Sequence, residues 1–107
     1  MTMNQTIMNS ISIDCIIFGF NNGVLEVLLV KHAVGDSKGE WGLPGGIIYE
    51  NESTDDAAQR SLRELTGLEN IFLEQIKAFG EPNRIPLNRV ITIGYYALIN
   101  REEYDVK

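Results

Sequence analysis

The side chains of this sequence that could do chemistry gather around one stretch. Glu50, Glu52 and Glu64 bracket Arg60, and Gly45-Gly46 stands just upstream. Paired glycines permit a tight turn where backbone must approach backbone or a ligand closely. Carboxylates are hard oxygen donors of the kind that Mg²⁺ prefers. So few carboxylates make a weak set for an ion that wants near-octahedral oxygen coordination. A structural role competes with this one, since Arg60 and Glu64 are spaced to pair along a helix, worth about 0.3–0.5 kcal/mol when exposed.

A second group of residues suits ligand binding. Lys31, Arg84 and Arg89 are cations at strand ends or in a long loop, where phosphate or sugar hydroxyls can be met. Trp41 can stack on a base or sugar, or serve as a half-buried core residue. Tyr95 and Tyr96 are adjacent in a strand, so only one can face a pocket; Tyr95 is the candidate. His32 beside Lys31 reads as a solvated or core histidine. Cys15, the lone cysteine, lies in the apolar run Ile13 to Phe18 and reads as buried and structural.

The elements that must position these groups are readable from pattern. Met1 to Asn9 is polar and expected to be a loose arm. Ile11–Phe20 and Val24–Val30 flank Asn21-Asn22-Gly23 as a β-hairpin, the near-continuous apolar run Cys15–Phe18 suggesting a strand covered on both faces. A polar loop, Ala33 to Glu40, leads to a short strand at Trp41–Leu43, ended by Pro44-Gly45-Gly46, and then to a short extended stretch, Ile47 to Glu50. A helix follows: Ser53 or Thr54 can cap it, Asp55 and Asp56 favour its first turn, Ala58, Leu62 and Leu65 give an apolar stripe, and Gly67 can close it in a left-handed cap. Ile71–Phe79 and Arg89–Ile99 read as strands joined by the proline-punctuated loop Gly80 to Asn88. The order β-β-β-α-β-β makes an α+β fold with a mixed sheet.

A length of 107 residues fits one small domain, residues 1–107, with a thin core. The net charge of −6 argues against this segment gripping a nucleic-acid backbone by itself. No run approaches the length of a membrane span and no leader pattern opens the chain, so a cytoplasmic protein without membrane contact is expected.

Gly46, Glu52, Arg60, Leu62, Glu64, Gly67 and Leu68 fall at the spacing of the Nudix box, G-x5-E-x7-R-E-U-x-E-E-x-G-U with U a bulky aliphatic, seven of nine fixed positions across Gly46 to Leu68. The chain resembles the Nudix superfamily. That resemblance implies an α/β/α sandwich, here lacking its C-terminal helix, so that the chain is a fragment or a partner subunit covers the sheet. In the family, helix glutamates hold Mg²⁺ that polarises a diphosphate for attack by water. At about 100° per residue, positions 61, 64 and 65 share one helix face. Ser61 and Leu65 stand where two of those glutamates belong, and Tyr49 stands where many of the hydrolases carry another. The resemblance thus leaves Glu64 and Glu52 as the candidate metal ligands and, if the chain is catalytic, the candidate catalytic groups. The family's arginine and loop glutamate fix loop to helix, which gives Gly45, Gly46, Glu52, Arg60 and Gly67 structural parts.

Ile13-Asp14-Cys15-Ile16-Ile17-Phe18, Leu65-Thr66-Gly67-Leu68 and Gly80-Glu81-Pro82-Asn83-Arg84 leading into Arg89–Leu98 further resemble the sensor domains of Nudix-related bacterial transcription regulators. The resemblance implies a small-molecule effector, either ADP-ribose, a related nucleotide or a pentose such as arabinose. It also implies a homodimer, and DNA binding only through a winged-helix domain absent from this chain. No cofactor is then required; Mg²⁺ is needed only if the chain is an active hydrolase. A Nudix diphosphate hydrolase and a scaffold retained for protein contacts are the competing expectations.

Overall fold

The computed structural model describes residues 6–32, 38–84 and 89–104. Its elements run β1 (Ile7–Asn21), β2 (Val24–Val27), β3 (Val30–Lys31), β4 (Trp41–Gly42), β5 (Gly45–Tyr49), α1 (Thr54–Thr66), β6 (Glu74–Phe79) and β7 (Ile91–Asn100), then a 3-10 turn, Arg101–Glu103. β1 is the strand on which the others are ordered. It turns into β2 through Asn22 and Gly23, both at positive φ (53° and 78°), the backbone that a two-residue type I′ hairpin requires. On its other side β1 pairs in parallel with β7, from Ile11↔Ile91 to Phe20↔Asn100. β6 adds antiparallel to β7, giving the order β2-β1-β7-β6, and β5 pairs with the first half of β1. β3 and β4 form a separate two-stranded ribbon.

α1 forms where its caps are written. Ser53 Oγ accepts from the Asp56 N–H at 3.0 Å, and Gly67, at φ 80°, donates its N–H to the Arg63 carbonyl at 2.8 Å. Ala57, Ala58 and Leu62 lie against Ile13, Cys15 and Ile17 of β1, with Ile48, Leu68, Ile71, Tyr95 and Ala97 completing the core. The two alanines let the helix sit close to the sheet. The result is a mixed sheet bearing one α-helix on one face, the α+β class that the element order indicates.

Several local expectations change. Ile7 to Asn9, assigned to a loose arm, already belong to β1; Met1 to Gln5 lie outside the described residues, as do parts of the two long loops, 33–37 and 85–88. Val24–Val30 is two strands, because Leu28 turns its N–H back to the Ile17 carbonyl at 2.9 Å before the ribbon begins. The strand read from Ile71 starts at Glu74, since Ile71 is drawn under the helix, where Gln59 Nε2 donates to its carbonyl.

Cys15–Phe18 is covered on one face only: Cys15 and Ile17 are buried, whereas Ile16 and Phe18, on the face away from α1, are half-buried. Leu65, placed in the apolar stripe, is 43% exposed, while Ser61 and Thr66 are buried. Thr66 tolerates burial because its hydroxyl donates to the Leu62 carbonyl and accepts from the Leu68 N–H.

Candidate ligand and metal site

Arg60 sits at the centre of the loop–helix junction. Its Nε donates to Glu52 Oε2 at 2.5 Å, and its Nη2 donates to Glu52 Oε1 and to the Ile47 carbonyl, both at 3.0 Å. Nη1 meets Glu64 Oε1 at 3.1 Å, and the guanidinium lies 4.5 Å above the Tyr49 ring. Glu52 Oε1 also accepts the Tyr49 N–H at 3.0 Å. A forked cation thus ties the end of β5, the loop and α1 together. A planar five-donor group can make these contacts at once and an ammonium cannot.

The Arg60 hydrogen bond holds the Glu52 carboxyl below the usual glutamate range, with the Tyr49 N–H and the charge of Arg60 adding to it against the cost of burial. A carboxylate whose folded-state pKa is depressed stabilises the fold above its unfolded value, and that contribution is lost as pH falls through the folded one. Acid unfolding of the wild type is therefore expected to steepen below the ordinary glutamate range. Glu52→Gln is expected to be less stable at neutral pH and to lose less on acidification. Parallel pH curves for the two proteins, followed by circular dichroism, would count against this assignment.

The same contacts decide how well these residues suit a metal. Glu52 has both oxygens engaged by Arg60 and the Tyr49 N–H, and Glu64 is drawn to Arg60 from its exposed position. Ser61 is buried against the core and Leu65 presents hydrocarbon. Among the described residues no three His, Cys, Asp or Glu side chains are grouped to hold an ion. This donor set does not fit a hydrated Mg²⁺, which needs several oxygens converging at about 2.1 Å.

The ligand candidates separate into two places. Lys31 and Trp41 are directly opposed across the β3–β4 ribbon, so their side chains share a face, and Trp41 is 67% exposed. Trp41 is thus no core residue. Arg84 donates through Nη2 to Thr92 Oγ1 at 2.8 Å and to the Val90 carbonyl at 3.0 Å; Arg89 donates to the Gly80 carbonyl at 2.7 Å. Both arginines brace the β6–β7 connection. Tyr95 is in the core, its hydroxyl donating to Asp55, lying 2.9 Å from Thr54 Oγ1 and accepting from Gln75. Its ring is thereby committed to joining sheet and helix start, while Tyr96 is the exposed one of the pair and donates to Glu74. Burial, reinforced by Asp14, pushes the Cys15 thiol up to about 12, so it is not a nucleophile at neutral pH.

Sequence reasoning passed over a polar row on the face away from α1. Ser12 Oγ and Thr92 Oγ1 are 2.9 Å apart, Arg84 reaches the same Thr92, and Asp14 follows Ser12 along that face. Burial raises the Asp14 pKa, with Arg84 and then His32 opposing it. The available signal was one carboxylate inside the most apolar run of the chain.

The family model described as NUDIX domain matches residues 8–106. The chain belongs to the NUDIX domain family. The ADPR-responsive transcriptional repressor NtrR of Acinetobacter baylyi is 34% identical over 95 residues, which is 87% of this chain and 38% of the repressor. An ADP-ribose pyrophosphatase of Methanocaldococcus jannaschii is 32% identical over 76 residues, 67% of this chain and 45% of the enzyme. The chain therefore spans less than half the length of these two relatives. Among solved structures, the NUDIX domain of Shewanella oneidensis NrtR complexed with ADP ribose superimposes with a TM-score of 0.82 at 29% identity, covering 99% of this chain and 66% of that one.

Proposed function

We propose that this chain is an effector-binding Nudix domain that holds ADP-ribose or a related nucleotide without hydrolysing it. In this reading it serves a cytoplasmic transcription regulator whose DNA contacts are made by a separate winged-helix domain. The observation that carries the reading is the Arg60 junction: both surviving box carboxylates are engaged in holding loop to helix, and Ser61 and Leu65 supply no metal ligand of the kind Mg²⁺ chemistry needs. The ligand class is supported by likeness to the ADPR-responsive repressor and to the NrtR domain complexed with ADP ribose. A net charge of −6 is consistent with DNA being met elsewhere.

Titration calorimetry with ADP-ribose tests the proposal. The expected result is saturable binding of the same strength with Mg²⁺ and with EDTA, and no AMP released over hours. The second reading is a Mg²⁺-dependent hydrolase, favoured by the identity shared with the ADP-ribose pyrophosphatase. Steady AMP release abolished by Glu64→Gln would establish it and remove the sensor. Arabinose titrated under the same conditions separates a free pentose from a nucleotide.

A homodimer is part of this proposal. Phe20, Leu25, Val27 and Leu98 are exposed, and the register sets them together on the outer sheet face, a patch suited to a second copy. A monomer in sedimentation at micromolar concentration would refute the dimer while leaving ligand binding intact.

A further inference from the structure

β6 leaves β7 before β7 ends. The last pair between them is Glu74↔Tyr96, whereas β1 follows β7 on to Asn100. Ala97–Asn100 is therefore paired on one side and has, among the described residues, no backbone partner on the other. Alternate residues of a strand turn their N–H and C=O to opposite edges. Two of these four thus offer a ready ladder to an extended chain laid alongside. Open edges are ordinarily protected by charge, proline or a bulge. Ala97-Leu98-Ile99-Asn100 has neither charge nor proline, while the sheet's outer strands carry Glu26 on one side and Glu74 and Lys77 on the other.

A groove of about 450 Å³ lies between this edge and the stretch Asn70-Ile71-Phe72. Phe72 is held on its wall by a braced support. Asn70 takes a left-handed backbone (φ 58°), Ile71 is buried and its carbonyl accepts from Gln59 Nε2, and Phe72 is left 78% exposed. Leu98 is also exposed. A large aromatic kept in water beside unpaired backbone suits a partner surface. Among the described residues of the lining, Glu74 and Glu103 are the charged groups, and no cation accompanies them.

We infer that this groove takes an extended basic segment of a partner protein, added as a strand to the open edge of β7. The ladder selects a strand, Phe72 and Leu98 select its apolar residues, and Glu74 and Glu103 its lysines or arginines. A second copy of this chain fits the edge less well, because it would bring together the carboxylates of two chains of net charge −6. None of these residues belongs to the Arg60 junction or the Lys31–Trp41 face, so the surface does not depend on ADP-ribose binding. Leu98 is shared with the patch offered to a second copy above and is left unchanged in the test.

Backbone-amide NMR of the whole chain tests this with three peptides. They are acetylated Lys-Val-Lys-Val-Lys, the same peptide with Glu for Lys, and the same peptide with Pro for Val, which keeps the charge but lacks ladder N–H donors. The expected result is saturable shifts and slowed hydrogen exchange at Ala97–Asn100 with the Lys-Val peptide only. Phe72→Ser is expected to weaken that binding by about 10-fold, the worth of burying one aromatic side chain. Its melting temperature should not change, because Phe72 is exposed. Glu103→Lys is expected to weaken the Lys-Val peptide and strengthen the Glu-Val peptide, and it reads the groove even if Phe72→Ser fails to fold. Equal binding of the Lys-Pro peptide would reduce the attraction to net charge and overturn the added strand. Shifts that miss Ala97–Asn100, or no saturable binding, would overturn it as well. Protection of Ala97–Asn100 that rises with protein concentration in the absence of peptide would hand the edge to a second copy.

Discussion

Arg60→Ala is expected to destabilise the protein by about 2–3 kcal/mol, between the values for breaking an exposed and a fully buried ion pair. The Arg60 and Glu52 side chains are only 15% and 14% exposed, so the substitution strands a carboxylate that solvent cannot fully reach. The Ile47 carbonyl and the Tyr49 ring lose their contacts as well. A domain of this size is stable by about 5–15 kcal/mol in all, so this loss is a large fraction of the total. Arg60→Lys should recover little, since an ammonium cannot grip both Glu52 oxygens and lie flat on Tyr49. The double variant Glu52→Gln, Arg60→Met should be more stable than Arg60→Ala, because it leaves no orphaned charge. Urea unfolding measures all three, and a loss under about 1 kcal/mol for Arg60→Ala would reduce the junction to an ordinary surface pair.

Gly45→Ala should be comparably damaging for a different reason. The added methyl meets backbone: the Ile13 carbonyl oxygen at 2.0 Å, its carbon at 2.8 Å and the Asp14 Cα at 2.9 Å. Backbone in the middle of a ladder cannot swing aside as a side chain can. β5 would have to leave β1, breaking the Cys15 N–H bond to the Pro44 carbonyl, 2.8 Å in the native protein. A cost of about 3 kcal/mol or more is expected, in the upper part of what single substitutions produce. Gly23→Asn is the control: that hairpin glycine has open space around it and a φ of 78° that asparagine tolerates, so about 1 kcal/mol or less is expected. Equal melting temperatures for Gly45→Ala and wild type would mean that β5 does not hold to β1 this closely.

What was legible in the sequence was local. Ser53 and Gly67 bound the helix where their side-chain and backbone preferences place them, and Asn22-Gly23 makes its hairpin, because each needs only its immediate neighbours. The box residues were legible through spacing, and so was the loss of ligands at Ser61 and Leu65. Periodicity placed Leu65 in the apolar stripe, but what covers a residue depends on elements distant in the chain, and there it failed. The role of Tyr95 was hidden for the same reason: it depends on Asp55 and Thr54 lying beneath its ring edge. In the sequence Asp14 stands out only within the pattern shared with a family, because its neighbours Gly45, Gly94 and Arg84 come from three other segments.

The parallel ladder between β1 and β7 has a consequence for how the protein is made. Ile11 finds Ile91, and each of the following pairs down to Phe20↔Asn100 spans the same long stretch of chain. Closing so large a loop comes before any reward from the pairing, which slows folding. On a ribosome the first strand can pair early with β2 and β5, but the edge it offers to β7 stays open until the last strand has emerged. An open strand edge of this kind is a place where chains can associate wrongly, so aggregation during synthesis is expected to fall once β7 closes it.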